Sequence, residues 1–301
     1  MSRPVVVKVA LGNVVNAKLR RRGMERVEPE LAAVFAPWLT RWSLEVDGPP
    51  IVTQSSKLLP VRRGGEAAML KAAMHAEEIA GHAVMGWWGG HGAARLLEAQ
   101  DDAVLLERVV GGRSLEAMAR GGEDEAAMRI LCGAAQALHA PRPAPPPPTL
   151  APLPHWFRAL TPTAKKRGGV FAKALAVSET LLADPQDVRP LHGDIHHGNI
   201  LDGGPRGWLA IDPKGLLGDR GYDYANMICN PGPEPSRDPG RIARRVAIVA
   251  EASGLGRTRL LQWLLAYAGL SASWTLDGDW DGDAGPALRI AEMAAGWLES
   301  G

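Results

Sequence analysis

The sequence predicts an α+β fold in two unequal parts, a small antiparallel sheet part over about residues 1–109 and a larger, mainly helical part over 110–301. Three observations predict it. Between Ile51 and Val109, short apolar runs alternate with polar and Gly-Gly turns, as strands joined by tight connections do. From Ser114 onward, apolar residues recur at helical spacing. The two patterns meet at Gly111-Gly112, which reads as the connector between the parts.

Each element can be justified in turn. Residues 1–49 read as a helical cap, because Leu31, Val34, Phe35, Trp38 and Leu39 fall near helical spacing after Glu28-Pro29-Glu30. Ile51–Thr53, Leu58–Arg62 and Glu66–Ala72 read as strands, with Gly64-Gly65 as a hairpin turn. The polar tip Gln54–Lys57, with Ser55 and Ser56 at its centre, can turn backbone N–H groups toward phosphates. Glu77 and Glu78 open a helix, a Trp- and Gly-rich turn follows over Gly86–Gly92, and Ala103–Val109 is an apolar strand. Ser114 starts a helix, and Glu123–Ala140 carries Met128, Leu131, Cys132, Ala135 and Leu138 on one stripe. Pro141–Pro154 is too rich in proline for a helix or a central strand and reads as an extended surface connector. Helices follow over His155–Leu160, Lys165–Leu182, Arg241–Ser253, Arg257–Ser273 and Ala287–Leu298.

Composition excludes several classes of function. Hydrophobic residues make up 46% of the chain, enough for a sizeable core. Lys plus Arg is 34 against 33 Asp plus Glu, so a nucleic-acid binder with a large basic face is not expected. No apolar run is long enough to span a membrane, and the N-terminal stretch lacks the features of a signal peptide. Cys132 and Cys229 cannot build a disulfide framework and fit a reducing cytoplasm as small core residues. Either a monomer or a homodimer is compatible with this composition.

The stretch Leu191–Gly215, LHGDIHHGNILDGGPRGWLAIDPKG, carries the chemistry. Asp194, Asn199 and Asp212 each stand at a polar loop beside a short apolar strand. Phosphoryl transfer needs these parts: a carboxylate to orient the attacking hydroxyl and accept its proton, and amide and carboxylate oxygens to hold Mg²⁺ on nucleotide phosphates. A single HGD or HHGN could be no more than a capped turn, because Asp and Asn are common turn formers. The set in this order is far more specific. The chain has neither a GxGxxG loop nor a Walker loop.

HGDIHHGNIL followed by GWLAIDPKGLLGDRGYDYANMICNP resembles the aminoglycoside/hydroxyurea resistance kinases, the group that contains streptomycin 6-phosphotransferases. The resemblance runs from about Pro50 to the last helix. It implies a two-lobed, protein-kinase-like fold, with HGD where protein kinases carry HRD and IDP where they carry DFG. It also implies ATP as phosphoryl donor, with GTP left open, and Mg²⁺ on Asn199 and Asp212. Asp194 would be the base. Lys71 would pair the nucleotide phosphates and a helix acid, Glu78 or Glu77. The Glu107 carbonyl and Val109 amide would bind adenine, and Asp223 would brace the loop or meet substrate.

The implied acceptor is a small-molecule hydroxyl, with a cationic aminocyclitol such as streptomycin first and hydroxyurea or a cellular metabolite second. Asp219 and Asp223, with the cluster Asp277, Asp279, Asp281 and Asp283, are the acids that could attract a cation. The cluster reads otherwise as a solvated turn. It lacks the bidentate Glu of a calcium loop. Two other classes stay on the page. A binding module that keeps the fold without turnover is disfavoured by the intact Lys, Asp, Asn and Asp set. A hydrolase with His196 or His197 and Asp212 on a metal is disfavoured because adjacent residues of an extended segment point apart.

Overall fold

The computed structural model of the chain describes residues 29–53, 56–73, 76–232, 238–277 and 283–300. In the helix α1 (Pro29–Arg41), three-to-four spacing puts Ala32, Phe35 and Leu39 on one buried stripe. The chain then forms β1 (Glu45–Val46), β2 (Ile51–Val52), β3 (Ser56–Arg63) and β4 (Glu66–Ala73), the helix α2 (Ala76–Trp88), and β5 (Leu96–Gln100) and β6 (Ala103–Glu107). These strands make one antiparallel sheet in the order β1-β3-β4-β6-β5, with β2 also on β3. Gly64 and Gly65, at φ 56° and 86°, close the β3–β4 hairpin in the left-handed conformation such a two-residue turn demands.

Strand period decides which core each residue joins. Ala103 and Leu105 of β6 pack with Phe35, Leu39, Leu59, Val61 and Leu70 under α1. Val104 and Leu106, on the other face, join Val84, Met85 and Trp88 of α2 in a core that continues into the helical part.

The helical part begins after residue 113. Ser114 caps α3 (Leu115–Arg120), its side chain accepting from the Ala117 amide at 3.3 Å. Next come α4 (Asp124–His139), β7 (Ala151–Pro152), α5 (Pro154–Phe157), α6 (Leu160–Arg167), α7 (Gly169–Ala183) and β8 (Val188–Leu191). The strands β9 (Ile200–Asp202), β10 (Trp208–Ala210) and β11 (Leu216–Asp219) precede α8 (Gly221–Ile228), α9 (Pro239–Ser253), α10 (Arg257–Asp277) and α11 (Gly285–Ser300). β9 and β10 form a hairpin, while β11 lies antiparallel to β8 and parallel to β7. Among the described residues, no helix is long and apolar enough to cross a membrane.

Three sequence expectations shift. The turn expected from Gly86 begins at Gly89, because α2 continues through the fully buried Trp88, whose burial outweighs the helix cost of Gly86. β5 is an additional strand; its exposure alternates only between partial and full, so no buried apolar face announced it. The helix expected over Lys165–Leu182 breaks at Gly168, at φ 61°, into α6 and α7.

Candidate active site

The loop after β8 is held from three sides. The buried Asp223, in the first turn of α8, accepts the His192 amide at 2.9 Å, the Gly193 amide at 2.8 Å and His139 Nε2 at 2.8 Å. Burial raises the Asp223 carboxyl, but these donors outweigh it and hold the group below the usual carboxylate range. His192 Nε2 donates to the Ile211 carbonyl at 2.9 Å and its Nδ1 accepts the Asp194 amide at 3.2 Å. Those partners fix the neutral tautomer, and burial lowers its basicity further, so His192 braces the loop rather than moving protons. Asp194, at the tip, receives the Asn199 side-chain amide on its own carbonyl at 2.9 Å and on its carboxylate at 3.4 Å. The Asn199 nitrogen is thereby committed to the loop, which turns its Oδ1 the other way.

On one side of this pair lies a cavity of about 220 Å³ lined by Leu58, Met69, Leu106, Leu201 and Ile211, with Ser56, Lys71, Glu107, Val109, Asn199 and Asp212 at its polar points. Lys71 is buried on β4 and ion-pairs with Asp212. Asp212 adopts φ 60°, a left-handed conformation that Asp tolerates better than most residues and that aims its carboxylate back at the cavity. Helix α2 runs so close to the following loop that a Cβ on Gly81 would stand 1.9 Å from the Pro213 carbonyl oxygen. One on Gly215 would stand 2.4 Å from that of Ala80, so both positions need glycine. The linker is clamped as well. Arg113 holds Asp202 of β9 through two bonds of 3.0 and 3.1 Å, pulling that carboxyl down to about 2.

On the other side of Asp194 is a larger cavity, about 540 Å³. Gly193, Asp194, His196 and Lys214 form one wall, and Asp283, Pro286 and Arg289 another. Trp156, Tyr267 and Trp274 supply aromatic faces. Trp156 and Trp274 meet edge to face with centroids 5.2 Å apart. Tyr267 is set by Asn226, whose amide donates to the phenol oxygen at 2.6 Å.

The structure thus brings together Ser56, Lys71, Glu107, Val109, Asn199 and Asp212 around one cavity and puts Asp194 in the other. Asp219 and Asp223 line neither cavity, and of the two roles expected of Asp223, bracing the loop is the one its hydrogen bonds fill. Asp219 is buried against Arg259 at 2.5 Å and the Gln186 and Gly221 amides, and Asp223 is spent on the loop. Ser55 and Asp279 lie outside the described residues. Glu78 lies on α2 and Asp277 ends α10, and their side chains also lie outside what is described.

This arrangement of site and fold has relatives. A family described as aminoglycoside/hydroxyurea antibiotic resistance kinase matches residues 41–278. The chain belongs to that family. This kinase is 48% identical over 241 residues to a streptomycin 3''-kinase from Klebsiella pneumoniae, spanning 78% of this chain and 90% of that protein. It is 33% identical to a streptomycin 6-kinase from Streptomyces griseus, over 88% of this chain and 89% of that one. Its two-lobed fold is shared with a thermostable mutant of the aminoglycoside phosphotransferase APH(4)-Ia in complex with ADP and hygromycin B. There the TM-score is 0.61 at 13% identity, over 87% of this chain and 98% of that one. The kinase is therefore a phosphotransferase, as the HGD…N…D pattern leads one to expect.

Sequence reasoning missed Lys214, Trp156, Trp274, Tyr267 and Arg289 of the larger cavity, and His139 behind Asp223. Only Lys214 carried a local signal, standing two residues after Asp212 in the same motif. The others come from helices distant in sequence.

Proposed function

We propose that this kinase transfers the γ-phosphoryl group of ATP, as its Mg²⁺ complex, to a hydroxyl of a cationic aminocyclitol of the streptomycin class. The observation that carries the reading is the Asp194–Asn199 pair, with Asn199 on the small, largely apolar cavity and Asp194 on the larger, aromatic-walled one. The small cavity suits a purine between Leu58, Met69, Leu106, Leu201 and Ile211, read by backbone groups at Glu107 and Val109. Lys71 then reaches the phosphates.

The metal fits the donor set. Mg²⁺ takes hard oxygens and keeps several waters, so an Asn199 amide oxygen and an Asp212 carboxylate on one cavity, completed by phosphate oxygens, suffice. When bound it neutralises charge on the phosphates. The chain does the rest by positioning. Asp194 accepts a hydrogen bond from the acceptor hydroxyl, aligns it with the phosphorus and takes its proton as the new P–O bond forms. His192 keeps the Asp194 amide in place, and Asp223 keeps His192 in place.

Asp194 and Asp283 offer carboxylates, and Trp156, Trp274 and Tyr267 offer ring faces, to guanidinium groups. Hydroxyurea would leave most of the 540 Å³ cavity to water, which favours the larger acceptor. Burial pushes both thiols up to about 12, leaving them inert in the reducing cytoplasm where ATP is available. The test is incubation of the purified protein with Mg-ATP and streptomycin, with NMR of the product to identify the phosphorylated hydroxyl. Phosphate transfer to hydroxyurea but not to streptomycin would overturn the acceptor assignment.

A further inference from the structure

The catalytic loop HGDIHHGN contains no lysine or arginine, yet phosphoryl transfer spreads negative charge over the oxygens of the group in flight. A cation should stand where that group passes from one cavity to the other. Asp212 lines the small cavity, and Lys214, two residues on, lines the large one beside Gly193 and Asp194. The chain crosses between the cavities at Pro213.

The crossing is rigid. The Lys214 amide donates to the His192 carbonyl at 2.7 Å, which ties it to the loop that carries Asp194. Pro213 is pressed against Gly81 and Gly215 against Ala80, so the backbone on either side of Lys214 cannot shift. Lys214 as a residue is 9% exposed and lines the larger cavity, where its charge can meet an anionic group of a bound ligand. Among the described residues, Lys71 is ion-paired with Asp212 on the smaller cavity, and Arg289 lines the larger one from α11 rather than from the loop that carries Asp194.

We propose that Lys214 is a catalytic residue whose ammonium neutralises the transferring phosphoryl group beside Asp194. This rests on the kinase reading above. In the step, the bond from the γ-phosphorus to the β–γ bridging oxygen breaks and a bond to the acceptor oxygen forms. The acceptor proton goes to Asp194, and Lys214 remains protonated throughout.

The test uses Lys214→Met and Lys214→Arg in the full chain, with steady-state kinetics, ADP affinity by calorimetry and thermal melting. Loss of a preorganised charge of this kind costs roughly 100- to 1,000-fold in kcat. Lys214→Met should show that loss with acceptor KM, ADP affinity and Tm near wild type, and Lys214→Arg should recover a large part of it. A Lys214→Met kcat above about a tenth of wild type would overturn the assignment. So would a defect confined to acceptor KM, or a fall in Tm and ADP affinity that Lys214→Arg does not restore. A second readout needs no acceptor turnover. Wild type should bind ADP with aluminium fluoride, a mimic of the phosphoryl group in flight, more tightly than ADP alone, and Lys214→Met should lose that preference. If wild type phosphorylates no aminocyclitol, the function reading fails, and the fluoride comparison still decides the role of Lys214: an unchanged preference in Lys214→Met overturns it.

Discussion

The two cavities that meet at Asp194 and Asn199 are built in opposite ways. The smaller is a slot between strands, lined by aliphatic side chains and by Glu107, Arg108 and Val109 of the linker. The larger is a bay whose walls come from the catalytic loop, α5, α8, α10 and α11, with charged, aromatic and hydroxyl side chains facing in. A slot of that kind reads the flat part of a ligand by shape, so the side chains between its polar points need only stay apolar. The bay reads by side chains, and each wall can change without disturbing the strands. The difference teaches where acceptor choice would reside: the proposed function puts donor binding on the sheet and its linker, and acceptor binding on α5, α10 and α11.

The sharpest way to break this division is at Asp194. Asp194→Asn removes the proposed base, a residue that lines only the larger of the two cavities. Turnover should fall roughly 100- to 10,000-fold, the range of general-base contributions. Nucleotide affinity measured by calorimetry should stay at the wild-type value. A variant that loses nucleotide as well as turnover would mean that the cavities are not separate.

Asp212→Asn should do the reverse and strike both quantities. The residue lines the nucleotide cavity and ion-pairs with Lys71, so its loss removes a hard oxygen ligand and leaves a buried ammonium without that carboxylate. Mg-ATP affinity should drop by about tenfold or more, because a neutral amide is a poorer ligand for a hard cation than a carboxylate. Acceptor binding measured without nucleotide should not change. Equal Mg-ATP affinity in the variant and wild type would remove Asp212 from the metal site.

The same division explains what was legible beforehand. Asp194, Asn199, Asp212 and Lys71 stand out in the sequence because each sits on or beside a short apolar strand, and the family resemblance attaches their expected roles. The hinge roles expected of Glu107 and Val109 come from the resemblance to kinase-like folds, and the structure puts both residues on the smaller cavity. Trp156 and Trp274 were invisible because they come from α5 and α10, more than a hundred residues apart in sequence, and helical periodicity assigns such residues to a core. Asp223 was named as either a brace or a substrate contact, and only its burial against His139 and two loop amides separates the two. A carboxylate in a sequence does not say whether it faces water.

Acceptor recognition sharpens the comparison further. Trp274→Leu keeps an apolar side chain but removes a ring face from the larger cavity and its contact with Trp156. A cation–π contact is worth about 0.5–2 kcal/mol, so the KM for a guanidinium-bearing acceptor should rise about 2- to 30-fold. The KM for ATP should not move. If a neutral acceptor suffers equally, the ring is packing the bay rather than binding charge.

The smallest effect concerns the two neighbouring histidines between Asp194 and Asn199. His196 lines the larger cavity, 3.8 Å from Asp194, while His197 points the other way, 2% exposed and with neither ring nitrogen hydrogen-bonded among the described residues. Burial pulls His197 down to about 3, with the nearby Arg245 adding to it. The unfolded chain takes up a proton at this histidine as pH falls through about 6.5, and the folded chain does not until about 3. Between those values the unfolded state binds more protons, so stability must fall as pH falls, by up to about 1.4 kcal/mol per pH unit from this group. His197→Met, which fills similar space without a titrating group, should flatten that slope. Urea unfolding at pH 7.5 and pH 5 should show the variant gaining on wild type by about 2 kcal/mol at the lower pH. Parallel loss of stability in both proteins would show that His197 takes its proton in the folded state and is not held neutral. Kinetics at pH 7.5 should differ little, since the residue that faces the acceptor is His196 and the loop is held from the other side by Asp223.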